Sequence, residues 1–152
     1  MKKRTLSNRE LKELNEKVLF YDFQFDKGDI VNIIDEKFIM LEGKALLFYY
    51  GGRICPTLHL LLAHPTTIQK ITVDMGAVKF VSNGADVMRP GITHIEDNIQ
   101  QNDIIAVIEE KFRKPLAIGV ALFSSSEMSE AKTGKVVKNL HYVEDAIWEG
   151  NF

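Results

Sequence analysis

The segment Val73–Gly91 constrains the fold of this chain more than any other, because it contains the signals of a complete helix–turn–strand unit. Asp74 precedes the helix, where its carboxylate can accept a hydrogen bond from a backbone N–H of the first turn. Gly84 can end the helix, since glycine tolerates the left-handed conformation common at helix C-termini. Val87-Met88 then extends towards Pro90-Gly91, a pair typical of a tight turn. The pattern predicts a helix and a strand end held together by small residues, where another backbone can approach closely.

The first part of the chain predicts a small α+β unit. Ser7 and Glu10 have the spacing of a capping box, so a helix is expected over about Asn8–Lys17. Phe20–Asp26 alternates aromatic and polar residues, a pattern typical of a strand. Further strands are predicted at Ile30–Ile34, Lys37–Glu42, Ala45–Tyr50 and Arg53-Ile54, with a hairpin turn at Gly51-Gly52. A second helix is predicted at Leu58–His64, capped by Thr57 and ended by Pro65.

The second part of the chain predicts a small barrel. Short strands separated by Gly and Pro are expected at Ile71–Val73, Val87–Arg89, Ile104–Glu109, Leu116–Leu122 and Val136–Val143, with a brief helix at Ser126–Ala131. Pro65–Lys70 is the best candidate for a boundary between the two parts. The sequence therefore predicts an α+β chain with a small N-terminal domain (residues 1–68) packed on a C-terminal β-pseudobarrel (residues 69–152).

The charge balance restricts the classes of binding partner. The chain of 152 residues has a net charge of −2. Residues 1–69 carry ten basic and nine acidic side chains, whereas residues 70–152 carry nine and twelve. Neither part is a basic surface of the kind that coats nucleic acid unselectively, so any such contact must be a local patch. The apolar runs are too short to span a bilayer, so no membrane partner is expected. One cysteine fits a reducing compartment, which predicts a cytoplasmic location.

Catalytic and metal signals are weak in the sequence. Cys55, His59 and His64 are the one grouping with metal-ligand chemistry, but they offer three ligands without the paired spacing of structural zinc. A thiol enzyme using Cys55 and a histidine is the competing hypothesis from another class. The chain has no Walker loop, nucleophile elbow or His-Glu-x-x-His motif. We therefore predict no catalytic residues, no metal, no cofactor and no enzymatic activity.

The second part resembles the PUA domain, a small pseudobarrel shared by RNA-modifying enzymes and translation-associated proteins. The residues that carry this likeness are Val73–Val78, Gly84–Gly91, Asp103–Val107 and Gly119-Val120. The chain is more closely similar to the malignant T-cell-amplified-sequence family and its archaeal relatives, in which a small pre-PUA domain precedes the PUA domain. That closer likeness rests on Pro56-Thr57-Leu58, Leu60-Leu61, Pro65, Asn139–Tyr142 and Trp148, and the resemblance covers roughly residues 29–149.

The resemblance implies a non-catalytic RNA-binding protein that acts in translation. Its expected partner is structured RNA, such as the acceptor end of tRNA or the small ribosomal subunit, and the N-terminal domain is expected to contact a protein partner or the ribosome. The alternative is an RNA-specificity subunit for a separate RNA-modification enzyme. By position, the RNA groove of the PUA domain corresponds here to Gly76, Ala77, Lys79, Gly84, Ala85, Arg89, Pro90 and Gly91.

Several of these residues also have purely structural interpretations. The small residues can simply allow a helix to pack tightly on a sheet, and Gly84 can be a helix C-cap even where RNA passes nearby. Lys79 can be a solvated surface lysine. Arg89 can grip phosphate through two nitrogens, stack on a base, or pair with Asp86.

Other basic and aromatic residues are weaker candidates. Lys111, Arg113 and Lys114 form the densest basic cluster, in an expected loop, and Lys132, Lys135 and Lys138 form a second set for an auxiliary contact. Lys2, Lys3 and Arg4 are expected to be a frayed end. We expect His94 in a loop, His141 in a strand that can face the groove, and Trp148 as an anchor closing the barrel.

Overall fold

The computed structural model describes residues 1–64 and 68–152, so part of the predicted boundary at Pro65–Lys70 lies outside the described residues. The chain divides into two compact units. The first contains Met1–Thr67 together with Ala146–Phe152, and the second contains Ile68–Asp145.

The N-terminal part of the first unit, residues 1–64, is a five-stranded antiparallel sheet with two α-helices and a short 3₁₀-helix. Its elements in chain order are β1 (Lys3–Thr5), α1 (Asn8–Val18), a 3₁₀-helix (Leu19–Tyr21), β2 (Val31–Ile34), β3 (Phe38–Leu41), β4 (Lys44–Tyr50), β5 (Arg53–Pro56) and α2 (Leu58–Ala63). The strands follow one another in the order β1-β2-β3-β4-β5. The capping box starts α1 as predicted, because Ser7 Oγ accepts from Glu10 N and Glu10 Oε1 accepts from Ser7 N.

The N-terminal residues are not frayed. Lys3–Thr5 pairs with β2 in an antiparallel ladder. The guanidinium of Arg4 donates to Glu36 and to Glu10 at 2.6–3.0 Å. Lys2, Lys3 and Arg4 are exposed, as predicted, but the prediction of a frayed end was wrong. The strand that pairs with them is distant in sequence, so no local pattern indicates the ladder.

Phe20–Asp26 is not a strand either. Leu19–Tyr21 continues α1 as a 3₁₀-helix, and Asp22 has a positive φ of 55°, which breaks the extended pattern. The backbone of Phe25 bonds to the side chain of Asn15 through both its N–H and its carbonyl, at 2.8 and 3.1 Å. Its backbone groups are thus satisfied without a neighbouring strand. Along this irregular segment Tyr21 and Phe25 are buried and Phe23 is half-buried, whereas the polar residues between them are exposed. The alternation therefore reflects side-chain burial without strand pairing.

The second unit is a six-stranded sheet that curls into a pseudobarrel. Its elements are β6 (Lys70–Val73), α3 (Met75–Val81), β7 (Val87–Met88), a 3₁₀-helix (Arg89–Gly91), β8 (Ile92–Ile95), β9 (Ile104–Glu109), β10 (Pro115–Ala121), α4 (Ser125–Glu130) and β11 (Lys135–Tyr142). The strand order is β7-β11-β10-β9-β6-β8, and the pair β6–β9 is parallel while the others are antiparallel. The two edge strands are consecutive in the chain and joined by three residues. The sheet must therefore bend round until its edges meet.

The core of the pseudobarrel comes from side chains of both its central and edge strands, including Ile105 of β9, Val87 of β7 and Ile92 of β8. Every residue of β9 is buried, so both faces of this strand are covered. The strand Ile92–Ile95 was not predicted, and the prediction of a loop at His94 was wrong. Its two exposed residues, Thr93 and His94, are consecutive, so this strand lacks the alternation of apolar and polar residues that predicts a strand from sequence.

The last helix, α5 (Ala146–Glu149), belongs to the first unit and not to the pseudobarrel. The indole of Trp148 stacks on the imidazole of His59, with ring centroids 4.1 Å apart. The ring of Phe152 stacks on Phe38 at 3.9 Å. The compact second unit thus ends at Asp145, seven residues before the predicted domain end, and Trp148 does not close the barrel. Both partners lie far away in sequence, so no local pattern indicates this packing.

Candidate functional site

The helix α3 is fixed at its start by its own N-cap. Asp74 Oδ1 accepts a hydrogen bond from Ala77 N at 2.9 Å, as the sequence predicts. The backbone N–H of Asp74 donates to the carbonyl of Gly91 at 2.8 Å. The first turn of α3 is thereby tied to the end of the 3₁₀-helix that follows β7. A Cβ on Gly91 would lie 3.3 Å from the Cβ of Ala77, so the two segments approach as closely as the small residues allow.

The end of α3 is fixed by Gly84. The N–H groups of Gly84 and Ala85 donate to the carbonyls of Val81 and Phe80, the paired bonds of a Schellman motif. Gly84 has a φ of +94°, and a Cβ there would lie 2.7 Å from the ring of Tyr142. Gly84 is therefore a helix terminator packed against an aromatic ring, which is the structural role weighed for it above.

A groove separates α3 from β7. Its volume is about 590 Å³, and most of its lining is apolar; the residues that line it are Ala77, Phe80, Val81, Ala85, Asp86, Val87, Met88, Gly91 and Lys135. Phe80 is 64% exposed and Met88 is 51% exposed, although both are large apolar side chains. We call this surface the α3–β7 groove. An exposed aromatic ring beside a thioether, above small residues, suits a flat ligand with a π face.

The charges in the groove balance one another. Asp86 Oδ2 accepts from Lys135 Nζ at 3.2 Å, and Asp86 Oδ1 accepts from the backbone N–H of Asn139 at 2.8 Å. Partial burial raises the pKa of Asp86, but these two hydrogen bonds outweigh it and hold the pKa below its usual value. The carboxylate is therefore ionised and paired at neutral pH. The groove has little net charge, and a bound ligand gains mainly from apolar contact and stacking.

Two of the three guanidinium nitrogens of Arg89 donate hydrogen bonds to backbone carbonyls. Its Nε donates to the carbonyl of Met128 at 2.6 Å, and its Nη1 donates to the carbonyl of Ile92 at 3.2 Å. Asp86, the partner weighed for Arg89 in the sequence, pairs with Lys135 instead. Among the described residues, Nη2 of Arg89 has no hydrogen-bond partner. One edge of the guanidinium is therefore available to an outside acceptor.

The eight residues predicted as the groove fall into two groups. Ala77, Ala85 and Gly91 line the α3–β7 groove. The others surround it: they are Gly76, Lys79, Gly84, Arg89 and Pro90, of which Gly76, Lys79 and Pro90 are exposed. The small residues of the sequence pattern thus lie where the chain segments approach. The larger side chains of the groove, except Lys135, belong to the same segment of the sequence.

Six groove residues were not among those predicted: Phe80, Val81, Asp86, Val87, Met88 and Lys135. Of these, Phe80, Met88 and Lys135 are exposed. A signal for Phe80 exists, because Ala77, Phe80 and Val81 have the spacing of one helix face. Met88 lies within the predicted strand, and its outward position follows from alternation with buried Val87. Lys135 reaches the groove only through the pairing of β11 with β7, in which it lies opposite Met88. The sequence suggested Lys135 only as part of a scattered basic set.

Cys55, His59 and His64 have separate environments. Cys55 is fully buried, and burial raises the pKa of its thiol to about 11. His59 Nε2 lies 3.0 Å from the carbonyl of Trp148, and His64 packs edge-on against Phe23. Residues 1–64 and 68–152 contain no cluster of three or more metal-ligating side chains. A protonated, inaccessible thiol is unsuited to nucleophilic attack.

His141 does not face the groove, contrary to one of the possibilities considered for it. It is fully buried, and its Nδ1 lies 2.8 and 2.9 Å from the two carboxylate oxygens of Asp145. Asp145 also accepts from the backbone N–H of Tyr142 at 2.9 Å. This cluster stabilises the end of β11, behind the ring that packs against Gly84.

The comparisons with known proteins agree with this architecture. The family model of the PUA domain matches residues 69–143. An uncharacterised protein of Methanocaldococcus jannaschii is 37% identical over 94% of this chain and 93% of that protein. Malignant T-cell-amplified sequence 2 of Homo sapiens is 33% identical over 81% of this chain and 71% of that protein. The chain belongs to the malignant T-cell-amplified-sequence family of PUA-domain proteins. Another relative, translation machinery-associated protein 20 of Schizosaccharomyces pombe, is 34% identical over 72% of this chain and 63% of that protein.

Solved structures extend the likeness of this family member over both units. A conserved PUA-domain protein from Thermoplasma acidophilum has a TM-score of 0.81 and 26% identity, covering 98% of this chain and 99% of that one. A PUA-domain protein from Aeropyrum pernix, solved with tartrate, has a TM-score of 0.82 and 29% identity over 99% and 90%. A protein of an archaeal box H/ACA small ribonucleoprotein shares a part, with a TM-score of 0.50 and 27% identity over 60% and 28%. The predicted α+β class with a PUA pseudobarrel is confirmed.

No helix of this family member, in the residues that the structure describes, is long and apolar enough to cross a membrane.

Proposed function

We propose that this chain is a non-catalytic RNA-binding protein of translation, and that its α3–β7 groove holds an unpaired nucleotide. The observation that carries the proposal is the exposure of Phe80 and Met88 in an apolar groove of about 590 Å³. Phe80 and Met88 lie together on one groove, and a continuous exposed apolar surface marks a binding site where single exposed side chains do not. The volume lies within the range of small-ligand sites, which suits one or two bases.

The groove chemistry favours single-stranded RNA over a duplex. In a duplex the base faces are stacked and only edges and backbone are accessible, whereas an unpaired base can place its face on Phe80. Lys135 on the rim is paired with Asp86, so phosphate attraction is modest. The small residues Ala77, Ala85 and Gly91 leave room for the RNA backbone, and Nη2 of Arg89 is a candidate phosphate donor.

The translation role is supported by the relatives, one of which is named translation machinery-associated protein 20. The RNA of translation that best fits an apolar, nearly neutral groove is the unpaired 3′ acceptor end of tRNA. A single-stranded segment of the small ribosomal subunit is the other target that this chemistry allows. The first unit is then free to contact a protein partner or the ribosome, in the cytoplasm.

The decisive experiment compares Phe80→Ala with Phe20→Ala in binding to tRNA. Phe80→Ala should weaken binding by about 5- to 150-fold, the range expected when one stacked base loses its aromatic partner. Phe20→Ala is the matched control, because Phe20 is 83% exposed and lies in the first unit. Affinity is measured by fluorescence anisotropy with intact tRNA and with tRNA trimmed of its unpaired 3′ end.

The same experiment can refute the proposal. Trimming the 3′ end should reduce affinity for the parent chain and make no further difference for Phe80→Ala. If Phe80→Ala binds intact tRNA as tightly as Phe20→Ala does, the groove is not the RNA site. If the parent binds intact tRNA, trimmed tRNA and a single-stranded ribosomal segment equally weakly, with a steep salt dependence, binding is unspecific charge attraction.

A second candidate function is an RNA-specificity subunit for a separate modification enzyme. It is favoured by the partial likeness to a protein of the box H/ACA ribonucleoprotein, in which the shared part covers 28% of that protein. Affinity purification from a native host separates the two candidates. A translation factor should co-purify with ribosomal subunits, whereas a specificity subunit should co-purify with a catalytic chain.

A further inference from the structure

The loop between β9 and β10 carries an exposed cluster that the groove does not use. Phe112 is 65% exposed at the tip of this loop. Lys111 Nζ lies 5.2 Å and Lys114 Nζ lies 5.9 Å from the centroid of its ring. We call residues 111–114, which also include exposed Arg113, the basic tip. An aromatic ring flanked by cations combines a stacking surface with phosphate-binding groups.

The conformation of the basic tip is held from beneath by a buried carboxylate. Glu109 is only 3% exposed, and its Oε1 accepts hydrogen bonds from the backbone N–H groups of Phe112 and Arg113. Arg113 has a φ of +59°, which is unfavourable for a residue with a side chain. These two hydrogen bonds satisfy the buried carboxylate and fix the backbone at Phe112 and Arg113, so the loop presents Phe112 and its neighbouring cations in a defined position.

The basic tip lies at one end of the helix that forms the groove. The backbone N–H of Glu110 donates to the carbonyl of Val73 at 3.0 Å, and the N–H of Met75 donates to Glu110 Oε1 at 3.4 Å. These bonds connect the loop to the residues on both sides of Asp74, where α3 begins. The seven residues of α3 span about 10 Å, so the tip and Phe80 lie near opposite ends of a short helix.

We propose that the basic tip is a second RNA contact, which binds nucleotides adjacent to the one held in the α3–β7 groove. The inference rests on the proposed function and adds the direction of the RNA along α3. Phe112 stacks on an unpaired or terminal base, while Lys111 and Lys114 meet the neighbouring phosphates. The acidic N-cap Asp74 lies between the two contacts, so the RNA backbone passes on the outer side of the helix start.

The test uses the full chain, tRNA with its complete 3′ end, and two sets of variants. Phe112→Ala should weaken binding at least about fivefold, the lower end for loss of one stacked base, and Phe112→Leu should weaken it too because leucine has no π face. Lys111→Ala with Lys114→Ala should reduce the salt slope by about 1 to 1.5, since each single-strand phosphate contact contributes about 0.7. Lys12→Ala with Lys27→Ala is the matched control, because this double replacement removes the same charge from exposed positions in the first unit.

The outcomes separate this inference from the proposed function. Tip variants that bind tRNA like the parent overturn the inference and leave the groove assignment intact, provided that Phe80→Ala still weakens binding. A parent chain that binds no tRNA overturns both. If the tip variants keep their tRNA affinity but lose binding to vesicles containing phosphatidylserine, the tip is an anionic-lipid contact and the RNA assignment is wrong. Loss of tRNA affinity and salt slope in the tip variants, but not in the lysine control, supports the inference.

Discussion

Replacing Arg89 with alanine should destabilise the second unit, whatever RNA the protein binds. Arg89 Nε donates to the carbonyl of Met128 at 2.6 Å, and this carbonyl is one of the last four of α4, which have no partner within the helix. Arg89 Nη1 donates to the carbonyl of Ile92 at the start of β8. One side chain therefore connects the 3₁₀-helix beside the groove to the end of α4 and to an edge strand.

The size of the effect follows from these two hydrogen bonds. A buried carbonyl that loses a charged donor costs about 1–3 kcal/mol. Arg89 is half-buried, so water can partly replace its hydrogen bonds, and the lower part of that range applies to each. Arg89→Ala should lower the free energy of unfolding by about 2–4 kcal/mol. Arg89→Lys should lose about half as much, because an ammonium group can reach one carbonyl but cannot form the planar fork.

Urea unfolding followed by far-ultraviolet circular dichroism measures the change. Lys79→Ala is the matched control, since Lys79 is exposed on α3 and should change the free energy of unfolding by no more than about 0.5 kcal/mol. Equal midpoints for Arg89→Ala and Lys79→Ala would show that the two carbonyls do not depend on Arg89. That result would mean that the guanidinium lies at the surface, where its hydrogen-bond donors can bind phosphate.

Three further measurements address other parts of the fold. A Cβ on Gly119 would lie 2.6 Å from the carbonyl oxygen of Lys138, so Gly119→Ala should lower the free energy of unfolding by about 1–3 kcal/mol, measured by thermal unfolding. Gly76→Ala is the contrasting variant: it lies in a helix with room for the methyl group and should raise the free energy of unfolding by up to about 1 kcal/mol. Because burial raises the pKa of Cys55 to about 11, iodoacetamide should label it far more slowly in the folded chain than in urea by mass spectrometry, and comparable rates would contradict its burial. The lowered pKa of Asp86 contributes stability that is present above its ordinary value of about 3.9 and is lost as the pH falls through the folded value. Asp86→Asn should therefore reduce the loss of stability as the pH falls below about 5, and an unchanged acid limb in urea unfolding would contradict this.

The elements with local signals could be predicted from the sequence. The capping box of Ser7 and the N-cap of Asp74 use partners within three residues, and Gly84 ends α3 through bonds to the preceding turn. The hairpin at Gly51-Gly52 has the two positive φ angles that its glycines indicate. Such features depend on backbone chemistry a few residues away, and a sequence displays that chemistry directly.

The α3–β7 groove could be predicted only in part, because one of its lining residues comes from a distant strand and others were read only as parts of a helix or strand. Ala77, Ala85 and Gly91 belong to one continuous segment, and their small size marks a close approach. Lys135 joins them through a strand pairing, 49 residues away from its partner Asp86. Register between distant strands depends on the packing of the whole sheet, so the lysine that reaches the groove cannot be chosen from three spaced lysines by inspection.

Arg89 illustrates a different limit of sequence reasoning. A guanidinium before a Pro-Gly turn is chemically suited to phosphate, and no property of the nearby residues argues against that role. Whether its donors are free depends on a carbonyl of α4 that lies 39 residues further along the chain. A side chain that satisfies the end of one helix has fewer donors for a ligand, so the type of residue predicts what it can bind and the fold decides how much of that capacity remains. The groove offers a ligand mostly apolar contacts, so Phe80→Ala should be the most informative single test of RNA binding.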